Sequence, residues 1–189
     1  VSEASYRLQF VVGFDEAEFT GVTELSFTLK GASAPLTVDF GEGRPKAVTA
    51  NGVEVPLDYN GFFITLPASA LREGANTVRI AYSHPYSATG SGLYRFKDPA
   101  DGAVYLYSDF EPFDANLMFP CFDQPDIKAG YAVEVTAPEE WAVVSAARPE
   151  RVLPAGPGAR RWVFPMTKPF STYIFSLHAG PYVEWRDEF

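Results

Sequence analysis

An all-β fold, either a sandwich or an open curved sheet, is what this sequence predicts. Three observations carry that expectation. Apolar residues recur with period two along most of the chain, helical periodicity is nearly absent, and 16 prolines and 15 glycines punctuate short runs of strand-forming residues. At 189 residues the chain can bury a substantial core. No repeat, low-complexity tract or linker divides it, so residues 1–189 are expected to form a single domain.

The first strand is read in "YRLQFVV", where Tyr6, Leu8, Phe10 and Val12 share one face. A second follows in "TGVTELSFTLKG". There Thr23, Leu25, Phe27 and Leu29 alternate with Glu24, Ser26, Thr28 and Lys30, the pattern of a half-buried strand. "PLTVDF" comes next, then "KAVTANGVEVPLDY", in which Asn51-Gly52 between two alternating runs is a hairpin signal. Further strands read at "GFFITLP", "NTVRIAY", "AVYLYS", "AGYAVEVTA", "WAVVSA", "RRWVFPM" and "STYIFSLHAG". Helix is confined to one or two turns in "PASALREG", before Gly74, and to a single turn in "PFDANLMF". "SATGSGLY" reads as a flexible loop and "VLPAGPGARR" as a β-turn between strands.

A formal net charge of −9 argues against a nucleic-acid partner, since little here would neutralise a phosphate backbone. The one dense basic pair, Arg160 and Arg161 beside Trp162, reads as a solvated strand face. No apolar run approaches a membrane-spanning length, so no membrane partner is expected. A single cysteine excludes an internal disulfide and favours a reducing compartment, which makes the cytoplasm the expected location. Because the sequence opens on Val1, a processed or exported protein is the alternative.

The catalytic inventory is thin. His84 and His178 belong to no HExxH motif and have no partner at helical spacing, so no metal site can be assembled from local ligands. Cys121 lies in "FPCFD" between two phenylalanines and reads as a core cysteine. What stands out is "SDFEPFDANLMFPCFDQPD", residues 108–126, with five carboxylates among four phenylalanines and three prolines. Its chemistry admits a hard-cation site, a glycosidase acid–base pair, or a carboxylate that binds an ammonium group. Its prolines and spacing do not fit an EF-hand loop.

Within "YLYSDFEPFDANLMFPCFDQPDIKAGYAVEV" lies a resemblance to the aminopeptidase N family of zinc metallopeptidases, whose non-catalytic N-terminal domain carries a signature of the approximate form "TQFEPxxARxxFPCFDEPxxKAxF". "YRLQFVVGFDEAEFTGVTELSFTL", "SGLYRFKD" and "TKPFSTYIFSLHAGPYVE" resemble other parts of that domain, so the similarity runs through essentially the whole chain. It implies a saddle-like β-sandwich of curved antiparallel and mixed sheets with very little helix, covering the face of a catalytic domain. It also implies that zinc, its HExxH ligands and the general base belong to that downstream domain, absent from this sequence. The chain itself would then hold no cofactor and no metal, would be inactive alone, and would have peptide N-termini and its own catalytic domain as partners.

The resemblance further implies that Glu111 binds the free α-ammonium of a peptide, and that the Glu111–Pro112 bond is cis. Two residues earlier, where the family has Gln, stands Asp109, which would border the pocket for the first side chain. Asp114, Asp123, Gln124 and Asp126 read as loop caps and structural hydrogen-bonding groups. A free-standing β-sandwich module binding carbohydrate or protein is the alternative reading of the same strands, and a glycosidase would need a self-contained cleft with paired carboxylates.

Overall fold

The computed structural model describes residues 1–185 and 187. Its elements are strands and single turns of 3-10 helix, with no α-helix among the described residues. In chain order the first seven strands are β1 (Ser2–Val11), β2 (Glu18–Leu29), β3 (Leu36–Asp39), β4 (Arg44–Ala50), β5 (Val53–Glu54), β6 (Phe63–Leu66) and β7 (Gly74–Pro85). The remainder are β8 (Gly92–Lys97), β9 (Val104–Asp109), β10 (Ala129–Pro138), β11 (Ala142–Ser145), β12 (Arg151–Pro154), β13 (Ala159–Phe164) and β14 (Leu177–Gly180).

Eight strands form one sheet in the order β12-β13-β10-β1-β2-β7-β4-β5, and four form a second in the order β11-β14-β9-β8; β3 and β6 pair separately. The large sheet is mixed, because β1 runs parallel to β10 while its other pairs are antiparallel. The period-two reading places its inner face correctly. Tyr6, Leu8 and Phe10 on β1, Val12 just beyond its end, and Thr23, Leu25, Phe27 and Leu29 on β2 are all buried. Their alternates Arg7 and Gln9 face solvent. At the start of the β2–β7 ladder Gly21 lies opposite Tyr82, whose ring occupies the space that a Cβ at Gly21 would need. Between β4 and β5 the chain turns at Asn51 (φ 53°) and Gly52 (φ 82°), the hairpin expected from Asn-Gly.

An aromatic core lies on this inner face. Tyr6 stacks on Tyr131 of β10 at 5.1 Å between centroids, and Tyr131 stacks on Phe170 at 4.6 Å. Phe119 meets Tyr6, Phe10, Phe110 and Phe175 edge-on at 5.3 to 6.3 Å. Each such ring contributes about 1.5–3 kcal/mol by leaving water, before the entropy of ordering it is subtracted. The acidic stretch therefore buries three of its phenylalanines, Phe110, Phe119 and Phe122, leaves Phe113 exposed, and turns its carboxylates outward or onto hydrogen-bond donors.

Three local expectations are corrected. The "flexible loop" around residue 92 runs into strand β8, which pairs with β9 over six residues from Gly92 to Lys97. The "β-turn" within 152–161 does lie between two strands, at 155–158, but the residues ahead of it belong to an unexpected edge strand, β12, fully exposed and hence without an apolar period to read. Conversely, "STYIFSL" is not one strand: Thr172–Ile174 is a 3-10 turn, and β14 begins only at Leu177. The expected turns in "PASALREG" and "PFDANLMF" are single 3-10 turns, Ala68–Ala70 and Ala115–Leu117.

Candidate functional site

Strand β9 ends at Asp109, and its next residue, Phe110, is buried against Phe119 and Phe175. Five residues on, Ala115 is again completely buried. Between these two fixed points Glu111, Pro112 and Phe113 are exposed. The Asp114 amide donates to the Phe110 carbonyl at 2.9 Å and closes the turn, and the Glu111–Pro112 peptide bond within it is cis. The Glu111 carboxylate is thus lifted clear of the sheet by a turn whose ends are buried. Among the described residues none donates to that carboxylate or pairs with it.

Asp109 is also exposed, and one of its carboxylate oxygens accepts the Glu111 amide at 3.3 Å. It is therefore oriented in part by the residue two positions further on. Asp123 behaves as the expected local cap, and more. One of its oxygens accepts both the backbone N–H and the side-chain amide of Asn116, at 2.9 and 2.8 Å, and the other accepts the Thr172 hydroxyl at 2.6 Å. Its own amide donates to Asp39 at 3.0 Å. Burial, together with the neighbouring Asp123 charge, raises the pKa of Asp39 above the ordinary carboxylate value, although the hydrogen bond from Asp123 opposes this. Asp114, Gln124 and Asp126 join the turns through backbone groups.

The remaining candidates are structural. Burial pushes the Cys121 thiol well above its usual pKa, and its backbone pairs with Asp39 on both sides. His84 is buried, with one ring nitrogen 2.7 Å from the Pro85 carbonyl and the other 2.9 Å from the Gly41 carbonyl. His178, half-buried, sits on β14. Among the described residues no three His, Cys, Asp or Glu side chains converge as a metal site, so they do not fit a zinc ion. Among them, too, no helix is long and apolar enough to cross a membrane. A wide depression of about 1240 Å³, lined by residues such as Val143, Val144, Trp162 and Trp185, lies away from Glu111.

Reading the residues alone missed Asn116, Thr172 and Asp39, which hold the turn together. Thr172 and Asp39 lie 49 and 84 residues from Asp123, so no local spacing could have flagged them, whereas Asn116 has its partners three and seven residues away and lacked only a chemical type that singles it out.

Fold and site together define an all-β protein that presents a carboxylate on a turn with buried ends and, among the described residues, gathers no set of metal ligands. The chain belongs to the Peptidase M1 N-terminal domain family, whose model matches residues 2–174. It is 35% identical over 167 residues to aminopeptidase N of Streptomyces lividans, covering 87% of this chain and 19% of that protein. Aminopeptidase N of Acetobacter pasteurianus is 30% identical over 188 residues, covering 95% and 53% respectively. Glutamyl aminopeptidase of Mus musculus is 24% identical over 202 residues, covering 97% and 21%. The chain thus spans from 19% to 53% of the length of these relatives.

Proposed function

We propose that this chain is the non-catalytic N-terminal domain of a longer zinc aminopeptidase, and that Glu111 binds the free α-ammonium of its peptide substrate. Membership of the family and the aminopeptidase names of the relatives support the parent activity. One observation carries the role of Glu111: its carboxylate is exposed on a turn pinned by buried Phe110 and Ala115, with no partner among the described residues. An enzyme that removes one residue at a time must recognise a charged terminus, and a desolvated carboxylate discriminates against a blocked amine because it would be left unpaired. Asp109 borders the pocket for the first side chain in this reading, and favours Lys or Arg there over Asp or Glu. Residues 1–189 act as one domain against a catalytic domain that supplies zinc, its ligands and the general base. The unpaired cysteine fits a cytoplasmic parent.

In the parent enzyme, Glu111→Gln keeps the shape and removes the charge, and should lower kcat/KM for free-amine substrates about a hundredfold or more. An undiminished value would overturn the amine-anchor role. For Asp109, the ratio of kcat/KM for Arg and Leu substrates should fall in Asp109→Asn; an unchanged ratio would remove it from the pocket. Translating the gene beyond codon 189 should reveal an HExxH motif within roughly a further domain's length, about 150 residues.

A further inference from the structure

We infer that Asn116 and Asp123 form a positioning pair for Glu111, in which Asn116 braces the turn from inside and Asp123 holds Asn116 in place. This rests on the reading of Glu111 as an amine anchor and adds what makes that anchor stiff. The segment from Glu111 to Phe113 is exposed, and one backbone hydrogen bond, Asp114 to Phe110, closes it. A carboxylate on so lightly tied a turn would have to be ordered by each arriving substrate, which costs affinity. The Asn116 side chain removes that freedom. Its amide nitrogen donates to the Phe113 carbonyl at 2.9 Å, two residues beyond Glu111, and to Asp123 at 2.8 Å.

Asp123 is suited to hold and unsuited to bind. Its two oxygens already accept three donors, Asn116 twice and Thr172 once, and its amide is tied to Asp39. Two of these contacts come from elements far along the chain, so the brace is fixed to the body of the domain. Gly41 adds a further tie, its N–H donating to the Asn116 carbonyl at 3.1 Å, and a Cβ there would meet Leu117 and Asn116 at 2.8 and 2.9 Å. Phe113, by contrast, offers its ring to solvent at 60% exposure, so its carbonyl, and not its side chain, is what the domain grips.

The test is a double-mutant cycle in the parent enzyme. Asn116→Ala removes both side-chain bonds and leaves the backbone contact to Asp123; it should lower kcat/KM about tenfold in the wild-type background and less than about twofold when Glu111 is already Gln. Asp123→Asn should recover most of what Asp123→Ala loses, because an amide oxygen can still accept from Asn116 while its nitrogen donates to the Thr172 hydroxyl. In the present chain, amide exchange at Asp114 should quicken in Asn116→Ala while the β2–β7 ladder keeps its protection, which separates a loosened turn from a misfolded domain. If Asn116→Ala costs the same factor in both backgrounds, or exchange at Asp114 is unmoved, the positioning pair is wrong and the anchor survives. If Glu111→Gln alone changes nothing, the anchor falls and takes this inference with it.

Discussion

The eight-stranded sheet and the stretch from residue 108 to 126 solve the same problem by different means. In the sheet, the β2–β7 ladder pairs twelve residues on each strand, so backbone donors and acceptors satisfy one another. Its outer polar side chains need hold nothing: Arg7 and Glu24 stand 3.9 Å apart in solvent, and Arg161 and Glu134 3.7 Å. The irregular stretch has no such ladder beyond β9 and the Asp39–Cys121 bridge. Side chains take over, with Tyr6 accepting the Phe122 amide at 3.0 Å, Asp39 that of Asp123, and Asp123 that of Asn116. Lifting a carboxylate out of a sheet requires irregular backbone, and irregular backbone turns polar side chains into structural parts.

The largest expected effect tests what the two regions share. Phe119 belongs to the irregular stretch, yet its ring meets Tyr6 and Phe10 of the sheet as well as Phe110 and Phe175. Phe119→Ala should cost about 3–5 kcal/mol, read as a lowered urea midpoint with unchanged slope. A loss under about 1 kcal/mol would mean that the stretch is laid over the sheet without sharing its core.

The second prediction sharpens the contrast. Thr172 is buried and donates to Asp123, and Thr172→Val keeps its shape while leaving a carboxylate oxygen short of a donor. That should cost about 1–3 kcal/mol. Arg7→Ala, which deletes one half of an exposed pair on the sheet, should cost less than about 0.5 kcal/mol. Equal losses on urea titration would erase the distinction between a laddered and a side-chain-held backbone.

The same contrast explains what could be read from the residues. Strands with one wet and one dry face announce themselves, as β1 and β2 do. β12 is exposed throughout and β8 buries only Gly92 and Leu93, so neither carries a period. The segment 171–177 is rich in strand formers but is drawn into a 3-10 turn, where the Ser171 hydroxyl bonds the Pro125 carbonyl and the Thr172 hydroxyl bonds Asp123. Tertiary hydrogen bonds there override local preference. At the candidate site, the residue types of 108–126 left three chemistries open, and only the resemblance singled out Glu111. Asp123 was legible as a capping type, but its partners were not.

The smallest effect concerns pH and separates a histidine of the large sheet, on β7, from a β3 carboxylate that holds the irregular stretch through the Asp123 amide. Burial lowers the pKa of His84 below its ordinary value of 6.5, against the opposing influence of the Pro85 and Gly41 carbonyls and the Glu42 charge. Unfolded, the ring protonates near its ordinary value, so as pH falls below 6.5 the unfolded state takes up a proton that the folded state resists. Stability is then lost on acidification, by at most about 1.4 kcal/mol per pH unit for one such group. Asp39 has the opposite sign. Its pKa is raised mainly by burial, so the folded state holds its proton to higher pH than the unfolded chain, and stability falls as pH rises through the folded value. Asp39→Asn keeps an acceptor for the Asp123 amide, and should make the chain slightly more stable than wild type at pH 7, with the gain fading on acidification once Asp39 is protonated in both states. His84→Gln should flatten the decline between pH 6.5 and 5 without moving the Asp39 effect. Urea titrations of both variants at pH 7.5, 6 and 5 decide the matter, and a gain for Asp39→Asn that grows on acidification would reverse the sign assigned to that carboxylate.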